Sequence, residues 1–559
     1  MGARVTGGER IATVLARHGV RTMFTLPGGH ISPIFVAANA RGIRIIDVRD
    51  EANAVFAADA TARLSGVIGV ATVTAGPGLT NALTPLRNAL MARSPVLLLC
   101  GATATVLRGR GSLQDIDQLT AVRSHVKWAA RVDRADKLVP LLEEAIAIAM
   151  QGPCGPVALE CPVDLLYDSK LVREMYGVTR PLEPGAPIAA RFERWYLERH
   201  LKRALGPDQP PADLSAGVAE RPARCAPSAR DTASARALVE RAGRPVLVVG
   251  SQAMEAPAEA AQLAAAVSEL EVPTWLGGMA RGLLGRVHPL QLRHHRKDAL
   301  READLVILAG TPLDFRLDYG RHIGRGAKII TANADASLLR FNRRPALGVH
   351  ADADLFLRAL AADPPRTNSQ AWLERLHARD ATRDADIAAR AAEDVRPINP
   401  IALCRAIDDA LSDDSVIVAD GGDFVGTASY VVRPRAPLSW LDPGAFGTLG
   451  VGAGFAMAAK LLRPASDVWL LYGDGAAGFS VMEFDTMVRH GIPVIAVVGN
   501  DGAWGQIMRD QVPMLGDDVA TVLGRTAFHE VANALGARGF LLERPDAMAA
   551  TLAAARDCA

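Results

Sequence analysis

With 559 residues the chain is too long for a single hydrophobic core, and at ~100–200 residues per domain it predicts three domains of similar size. Hydrophobic residues make up 49% and charged residues 22%, and 62 basic side chains stand against 61 acidic ones, which excludes a disordered tail and a basic nucleic-acid surface. Six scattered cysteines without a CxxC pair exclude a disulfide framework and a zinc finger, so the expected setting is cytoplasmic and the expected partners are small molecules and further copies of the chain.

Residues 1–20 place Arg4, Glu9, Arg10, Arg17 and His18 among apolar positions, the pattern of an amphipathic helix rather than a signal peptide. Short β-branched runs then alternate with longer helical patterns, as βα units with parallel sheets buried on both faces require. The expected strands form three groups: Val67–Thr74, Pro95–Cys100 and Val157–Glu160; Pro245–Gly250, Asp304–Gly310 and Lys328–Ala332; Ser415–Ala419, Asp467–Tyr472 and Pro493–Gly499. The fold class is therefore α/β, with three doubly wound parallel-sheet domains over residues 1–170, 236–362 and 395–559. Residues 171–235 are rich in Pro, Ala and Arg, include Pro207 to Pro211, and read as a linker. Within it Phe192, Trp195, Tyr196, Leu197 and Leu201 at helical spacing predict an amphipathic helix packed back on a domain. A second break falls at Ala361–Asn368, before a charged helix. No run of ~18 uncharged apolar residues occurs, so no membrane span is expected.

The segment Val468-Trp-Leu-Leu-Tyr-Gly473-Asp474-Gly475-Ala476 ends a buried strand in Gly-Asp-Gly, which puts a carboxylate where flanking glycines let backbone amides approach a phosphate. A second buried strand delivers Asn500, 26 positions after Asp474, at its own carboxyl end. A carboxylate plus an amide oxygen suit Mg²⁺ that also takes phosphate oxygens. A lone Gly-Asp-Gly reads better as a tight turn, but the strand, helix and strand joining it to Asn500 weigh against that.

Here the chain resembles the thiamine diphosphate (ThDP) enzymes of the acetolactate synthase and pyruvate decarboxylase superfamily, whose motif is GDG, a spacer of this size and N. The resemblance implies that Asp474 and Asn500 bind Mg²⁺, with the carbonyl of Gly502 as third ligand, and that Gly475 and Ala476 lie on the cofactor. The superfamily usually carries two asparagines where this chain has Gly499-Asn500. Two further loops, Asp420-Gly421-Gly422-Asp423-Phe424 and Phe446-Gly-Thr-Leu449-Gly-Val-Gly-Ala-Gly, resemble ThDP-contacting loops. Gly422 and Asp423 fall among the implied contacts, and Leu449 at the position that props the cofactor in a V shape; an ordinary core leucine is the plainer alternative.

ThDP reacts through its C2 carbanion, so a carboxylic acid is needed beyond the aminopyrimidine, in an apolar place that raises its pKa. The run Ile45-Ile-Asp-Val-Arg-Asp50-Glu51 followed by an alanine-rich helix closely resembles the superfamily's strand, glutamate and helix, so Glu51 is the implied activator. A helix-start glutamate held by the dipole is the bland alternative. Asp50 stands where many relatives carry His or Asn. Gly76-Pro77-Gly78 within Thr74–Asn81 resembles a pyrimidine-side loop. The segment Arg110 to Asp117 resembles Gly-Ala-Phe-Gln-Glu and makes Gln114 the substrate-side amide. In Pro27-Gly-Gly-His30, His30 is a proton donor or a hydrogen-bonded loop histidine.

The likeness spans nearly the whole chain and is strongest to the acetolactate synthase-like, 2-hydroxyacyl-CoA lyase branch. It is carried by strings such as Phe24-Thr-Leu-Pro-Gly-Gly-His-Ile-Ser-Pro, Trp195-Tyr-Leu-Glu and Trp440-Leu-Asp-Pro-Gly-Ala-Phe-Gly-Thr-Leu-Gly. It implies cleavage of a 2-hydroxyacyl-CoA to formyl-CoA and an aldehyde, or the reverse acyloin condensation, in a homodimer or homotetramer. The alternative is an acetolactate synthase condensing 2-oxoacids. Those relatives hold FAD in the central domain and carry Gly-x-Arg-Phe-Asp-Asp-Arg, where this chain has Thr311-Pro-Leu-Asp314-Phe315-Arg316; FAD or ADP there is the weaker expectation. A non-catalytic ThDP-binding protein is the third reading, and Glu51, Asp474 and Asn500 together argue against it. The last residues, Asp557-Cys-Ala559, fall in a helical pattern where relatives continue into a further strand and a covering tail.

Overall fold

The computed structural model describes residues 5–206 and 223–559; Arg4 and Pro207 to Pro211 lie outside the described residues. The chain divides into two compact units, the first holding one sheet and the second holding two.

The first sheet contains β1 (Thr22–Thr25), β2 (Arg44–Asp47), β3 (Gly69–Val73), β4 (Val96–Ala102), β5 (Trp128–Arg131) and β6 (Val157–Pro162), in the order β2-β1-β3-β4-β6-β5 with every pair parallel. The second contains β7 (Pro245–Val249), β8 (Thr274–Leu276), β9 (Gln291–Leu292), β10 (Leu305–Ala309), β11 (Lys328–Asn333) and β12 (Leu347–His350), ordered β12-β11-β10-β7-β8-β9 and again parallel. The third is β13 (Val416–Asp420), β14 (Trp440–Leu441), β15 (Val468–Gly473) and β16 (Ile495–Gly499), ordered β14-β13-β15-β16 and parallel. All nine strands anticipated from apolar runs form, and β3, β4, β7 and β15 are buried at every residue, as a parallel sheet covered on both faces demands. Six strands were not anticipated (β1, β5, β8, β9, β12 and β14); none exceeds four residues, too short for periodicity to register.

The expected first helix runs Gly7–Arg17 and starts with a reciprocal capping box: Thr6 Oγ1 accepts from the Glu9 amide at 3.1 Å while the Thr6 amide donates to Glu9 Oε2 at 2.6 Å. Its Ile11 and Leu15 are fully buried, in one cluster with Ile34 of helix Ser32–Ala40 and with Leu97 and Leu159 of the sheet. The segment read as linker carries helices Ser169–Met175 and Ile188–Leu205, and helix Ala229–Glu240 begins inside its expected end. Helix Ile188–Leu205 does return to the core, but through Leu197, Leu201, Ala204 and Leu205. Phe192, Trp195 and Tyr196, expected on the packed face, point outward instead, 65%, 52% and 38% exposed. Leu197 and Leu201 share a face four residues apart, and the aromatics fall on the opposite one.

Doubly wound sheets bind ligands at the carboxyl ends of their strands, where the strand order reverses. In the first sheet that point lies between β1 and β3, and the loops after both carry Pro27–His30 and Thr74–Gly78, while Glu51 follows β2. In the third it lies between β13 and β15, whose following loops carry Asp420–Asp423 and Gly473–Ala476. The topology, not proximity in sequence, therefore gathers the residues singled out above.

Candidate active site

In the first unit Glu51 opens helix Glu51–Ser65 and is buried. Asn81 Nδ2 donates to its Oε2 at 3.0 Å, and a Cβ on Gly78 would stand 3.5 Å from its Oε1, so the glycine loop after β3 runs against the carboxyl group. The same loop turns at Gly76, where φ is +62° and an added Cβ would meet the Gln114 carbonyl oxygen at 2.8 Å. Only glycine serves both demands. The Gly76 amide donates to Gln118 Oε1 at 3.0 Å, and Gln118 Nε2 donates to the Gly101 carbonyl at 3.0 Å, which pins the loop to the end of β4. Pro77 opens the short helix Pro77–Asn81 that delivers Asn81 to Glu51.

Thr74 links the other two expected residues. His30 Nδ1 lies 3.1 Å from Thr74 Oγ1, and that hydroxyl lies 3.4 Å from Gln114 Oε1. Gln114 holds a left-handed backbone, φ +64°, and burial lowers the proton affinity of His30, which favours the neutral imidazole. The structure thus joins His30, Thr74 and Gln114 in one polar chain, and Thr74 to Asn81 leads from it to Glu51. Thr74 and Asn81 bound the loop the sequence singled out as pyrimidine-side, while Gln118, at the start of helix Gln118–Val122, carries the arrangement without having been singled out.

In the second unit Asp474 is buried at the start of helix Asp474–Ser480. Its Oδ1 accepts from the Gly475 amide and its Oδ2 from the Gly502 amide, both at 2.8 Å, so the carboxylate ties the loop after β15 to that after β16. Asn500 is exposed and donates Nδ2 to the Thr526 carbonyl at 2.9 Å. The Gly502 carbonyl, expected as a metal ligand, accepts from the Leu523 amide at 2.7 Å. Asp501 was not singled out. Burial first, and then the charge of Asp474, raise its pKa, with Asp423 adding to the effect, so a second carboxylate stands in the field of the first. Counting positions could not separate the adjacent Asn500 and Asp501. Asp423 itself pairs with Arg509. Among the described residues no three His, Cys, Asp or Glu side chains converge as a ready-made metal cage.

Glycines make the room. Gly421 has φ +62°, and a Cβ there would overlap Leu449 Cδ2 at 2.1 Å and approach Ala476 Cβ at 3.3 Å. A Cβ on Gly475 would strike the Trp504 ring at 2.2 Å, and one on Gly422 would lie 3.1 Å from the Gly473 Cα. Leu449 is therefore seated on the loop after β13. Its own loop is held by Asp420, fully buried at the end of β13, whose Oδ1 accepts from the Gly450 amide at 3.1 Å and Oδ2 from the Gly452 amide at 2.8 Å. Burial pushes the Asp420 carboxyl up to about 7 despite those bonds.

Three family models match the chain: the thiamine pyrophosphate enzyme N-terminal TPP binding domain over residues 5–121, the central domain over 232–360 and the C-terminal TPP binding domain over 420–559. A 2-hydroxyacyl-CoA lyase 2 of Danio rerio is 49% identical over 97% of this chain and 87% of its own length. The 2-hydroxyacyl-CoA lyase 2 of Homo sapiens is 48% identical over 96% and 85%. An acetolactate synthase large subunit of Mycobacterium tuberculosis is 34% identical over 96% and 91%.

Proposed function

The chain belongs to the thiamine pyrophosphate-dependent enzymes, and we propose that it is a carbon–carbon lyase that cleaves a 2-hydroxyacyl-CoA to formyl-CoA and an aldehyde, or joins them in reverse. The observation that carries this is the identity of nearly one half with 2-hydroxyacyl-CoA lyases along almost the whole chain, against about one third with acetolactate synthase. ThDP supplies a nucleophilic thiazolium carbon that adds to a carbonyl and holds the electron pair released when the neighbouring carbon–carbon bond breaks.

The residues present fit that cofactor and a Mg²⁺ ion. The glycines at 421, 422 and 475 let Leu449, the Gly473 backbone and the Trp504 ring pack directly against these loops and so fix them, and Asp474 with its neighbour Asp501 is a pair of carboxylates whose mutual repulsion a cation relieves. Asp474 and Asn500 would hold the metal: the Asn500 NH₂ is anchored on Thr526, which orients an amide whose oxygen can ligate. Asp501 is a second candidate by its charge, and the Gly502 carbonyl keeps a lone pair beyond its bond to Leu523. Leu449 would support the cofactor from Gly421. Glu51 would hold a proton at the pyrimidine, with Asn81 fixing the carboxyl group. Gln114 would orient the substrate's polar atoms, and His30, its proton affinity lowered by burial, would accept or return a proton at the substrate oxygen.

The second sheet has the order of a dinucleotide-binding fold, with Gly250 and Gly310 at its reversal between β7 and β10. Arg296, which opens the helix after β9, donates to the Arg316 carbonyl in the segment after β10 at 2.9 Å, and FAD or ADP in this domain belongs to the proposal. The deciding test is mass spectrometry of products from enzyme given ThDP, Mg²⁺ and either a 2-hydroxyacyl-CoA or pyruvate. An aldehyde with formyl-CoA from the thioester is the expected result; acetolactate from pyruvate, with the thioester untouched, would replace the lyase reading.

A further inference from the structure

Residues 103–117, between β4 and helix Gln118–Val122, form a long loop without regular structure, and such loops are functional or mobile. This one carries Gln114, whose left-handed backbone, φ +64°, is a conformation that a residue with a side chain keeps only where its surroundings enforce it. At the tip, the turn at Thr74 and Gly76 is one such constraint. The other lies at the root of the loop, in a cluster that the proposed reaction does not use.

Thr105 is its centre. The carboxylate of Asp164, in the turn after β6 and 4% exposed, accepts the Thr105 amide at 3.1 Å and the Thr105 hydroxyl at 2.5 Å. On the other side His200 Nε2 lies 2.8 Å from the same hydroxyl. A hydroxyl has a single proton, and Asp164 takes it, so Nε2 must carry the hydrogen that closes the second bond. Burial raises the Asp164 pKa and the bonds from Thr105 oppose this, so withdrawing Thr105 would strand a buried carboxylate. The same residue types make a nucleophile only when the hydroxyl donates to the imidazole; here it donates to the carboxylate, and this order of bonds holds rather than activates.

His200 is a fixed post. It stands on helix Ile188–Leu205 between Leu197 and Leu201, which pack in the core of the first unit. One turn earlier the Tyr196 ring stacks on its imidazole, centroids 6.2 Å apart, and Tyr196 Oη accepts from Arg110 Nη2 at 3.4 Å, a second tie to the same loop. We propose that Asp164, Thr105 and His200 are positioning residues, which clamp the root of this loop between the turn after β6 and helix Ile188–Leu205 and thereby set where the Gln114 amide meets the substrate. The role of Gln114 rests on the lyase reading; the clamp does not.

Amide hydrogen exchange of the full-length protein with ThDP and Mg²⁺, read by mass spectrometry over residues 103–117, tests the clamp without a substrate. Thr105→Val keeps the amide bonds and loses the hydroxyl, and Thr105→Ser restores it. Loop exchange should quicken about tenfold or more in the valine variant, as loss of a charge-assisted hydrogen bond implies, and stay at the parent's rate in the serine variant. His200→Leu, which leaves the bond to Asp164 in place, should quicken it less and serves if the valine variant does not fold. Parent-like exchange in the folded valine variant, or in His200→Leu, overturns the clamp. Kinetics then test positioning. With the substrate that the parent turns over, kcat/KM of Thr105→Val should fall roughly ten- to a hundredfold, while ThDP affinity and C2-proton exchange should not change. In a Gln114→Ala background the same substitution should cost less than about twofold more, because the two residues act as one unit. A full repeat of the loss there, a loss of C2-proton exchange or an unchanged kcat/KM removes the positioning role. If the parent turns over neither a 2-hydroxyacyl-CoA nor pyruvate, the lyase reading fails and the exchange comparison still decides the clamp.

Discussion

Glu51 sits in the first turn of its helix, where the dipole favours a carboxylate, yet it is buried among alanines with Asn81 as a neutral hydrogen-bond donor. A surface ion pair would have looked different: a basic partner and an exposed head. Glu51→Gln keeps shape and an acceptor for Asn81 but cannot pass a proton. Turnover should fall by ~10²–10⁴ with the fold intact, the usual share of an acid–base group. Exchange of the cofactor C2 proton into deuterated water reports the step directly, and an exchange rate equal to the parent's would remove Glu51 from the activating role. Glu51 could be found in the sequence because a strand, an acid and an alanine-rich helix with few charges form a long pattern. Asp501 could not, because its significance lies in facing Asp474 across two loops, and one-residue offsets at the end of a strand are invisible to spacing.

At the scale of elements, the Asp420 clamp joins β13 to the loop bearing Leu449. Its carboxyl group accepts two backbone amides and is still raised to about 7, because desolvation outweighs both bonds. Against an unfolded value near 3.9 the native state prefers the protonated acid. The stability this lends is present below pH ~4 and is lost as pH rises through about 7, a change on the order of 4 kcal/mol. Asp420→Asn removes the titration while placing an NH₂ against one of the amides, a fixed cost of ~1–3 kcal/mol. Urea unfolding of the parent followed between pH 4 and 8 should therefore show a decline that the variant lacks; an equal decline in both would assign it to other groups. The clamp was half legible: Asp420 closes an apolar strand just as Asp474 does, and the glycines of the partner loop are plain in the sequence. That the two meet depends on β13 and β15 being neighbours, which only the sheet order supplies. The aromatic stripe of helix Ile188–Leu205 failed in the opposite direction. Periodicity revealed the helix, but two apolar faces compete there, and the aliphatic residues Leu197, Leu201, Ala204 and Leu205, not the rings, fit against the core.

For the whole molecule, the proposed activating acid and the proposed metal ligand fall in separate compact units, Glu51 in the first and Asp474 in the second. We propose, from the likeness to ThDP enzymes, that each cofactor is shared between two subunits, so that a dimer would carry two composite sites. Complementation distinguishes this from a site built within one chain. Glu51→Gln and Asp474→Ala should each be inactive as pure proteins, the first because the proton cannot move, the second because diphosphate and Mg²⁺ lose their carboxylate. If sites are composite, a mixed dimer has one site bearing both lesions and one bearing neither. Random exchange of equal amounts makes about half the dimers mixed, each with one intact site, so activity should return to about a quarter of the parent's. If each site belongs to one chain, every site keeps one lesion and the mixture stays inactive at any ratio. The measurement is turnover of an equimolar mixture after unfolding and refolding together, against the same proteins refolded apart and then combined. Recovery only on refolding together supports shared sites. No recovery, with mixed dimers present by native mass spectrometry, refutes them.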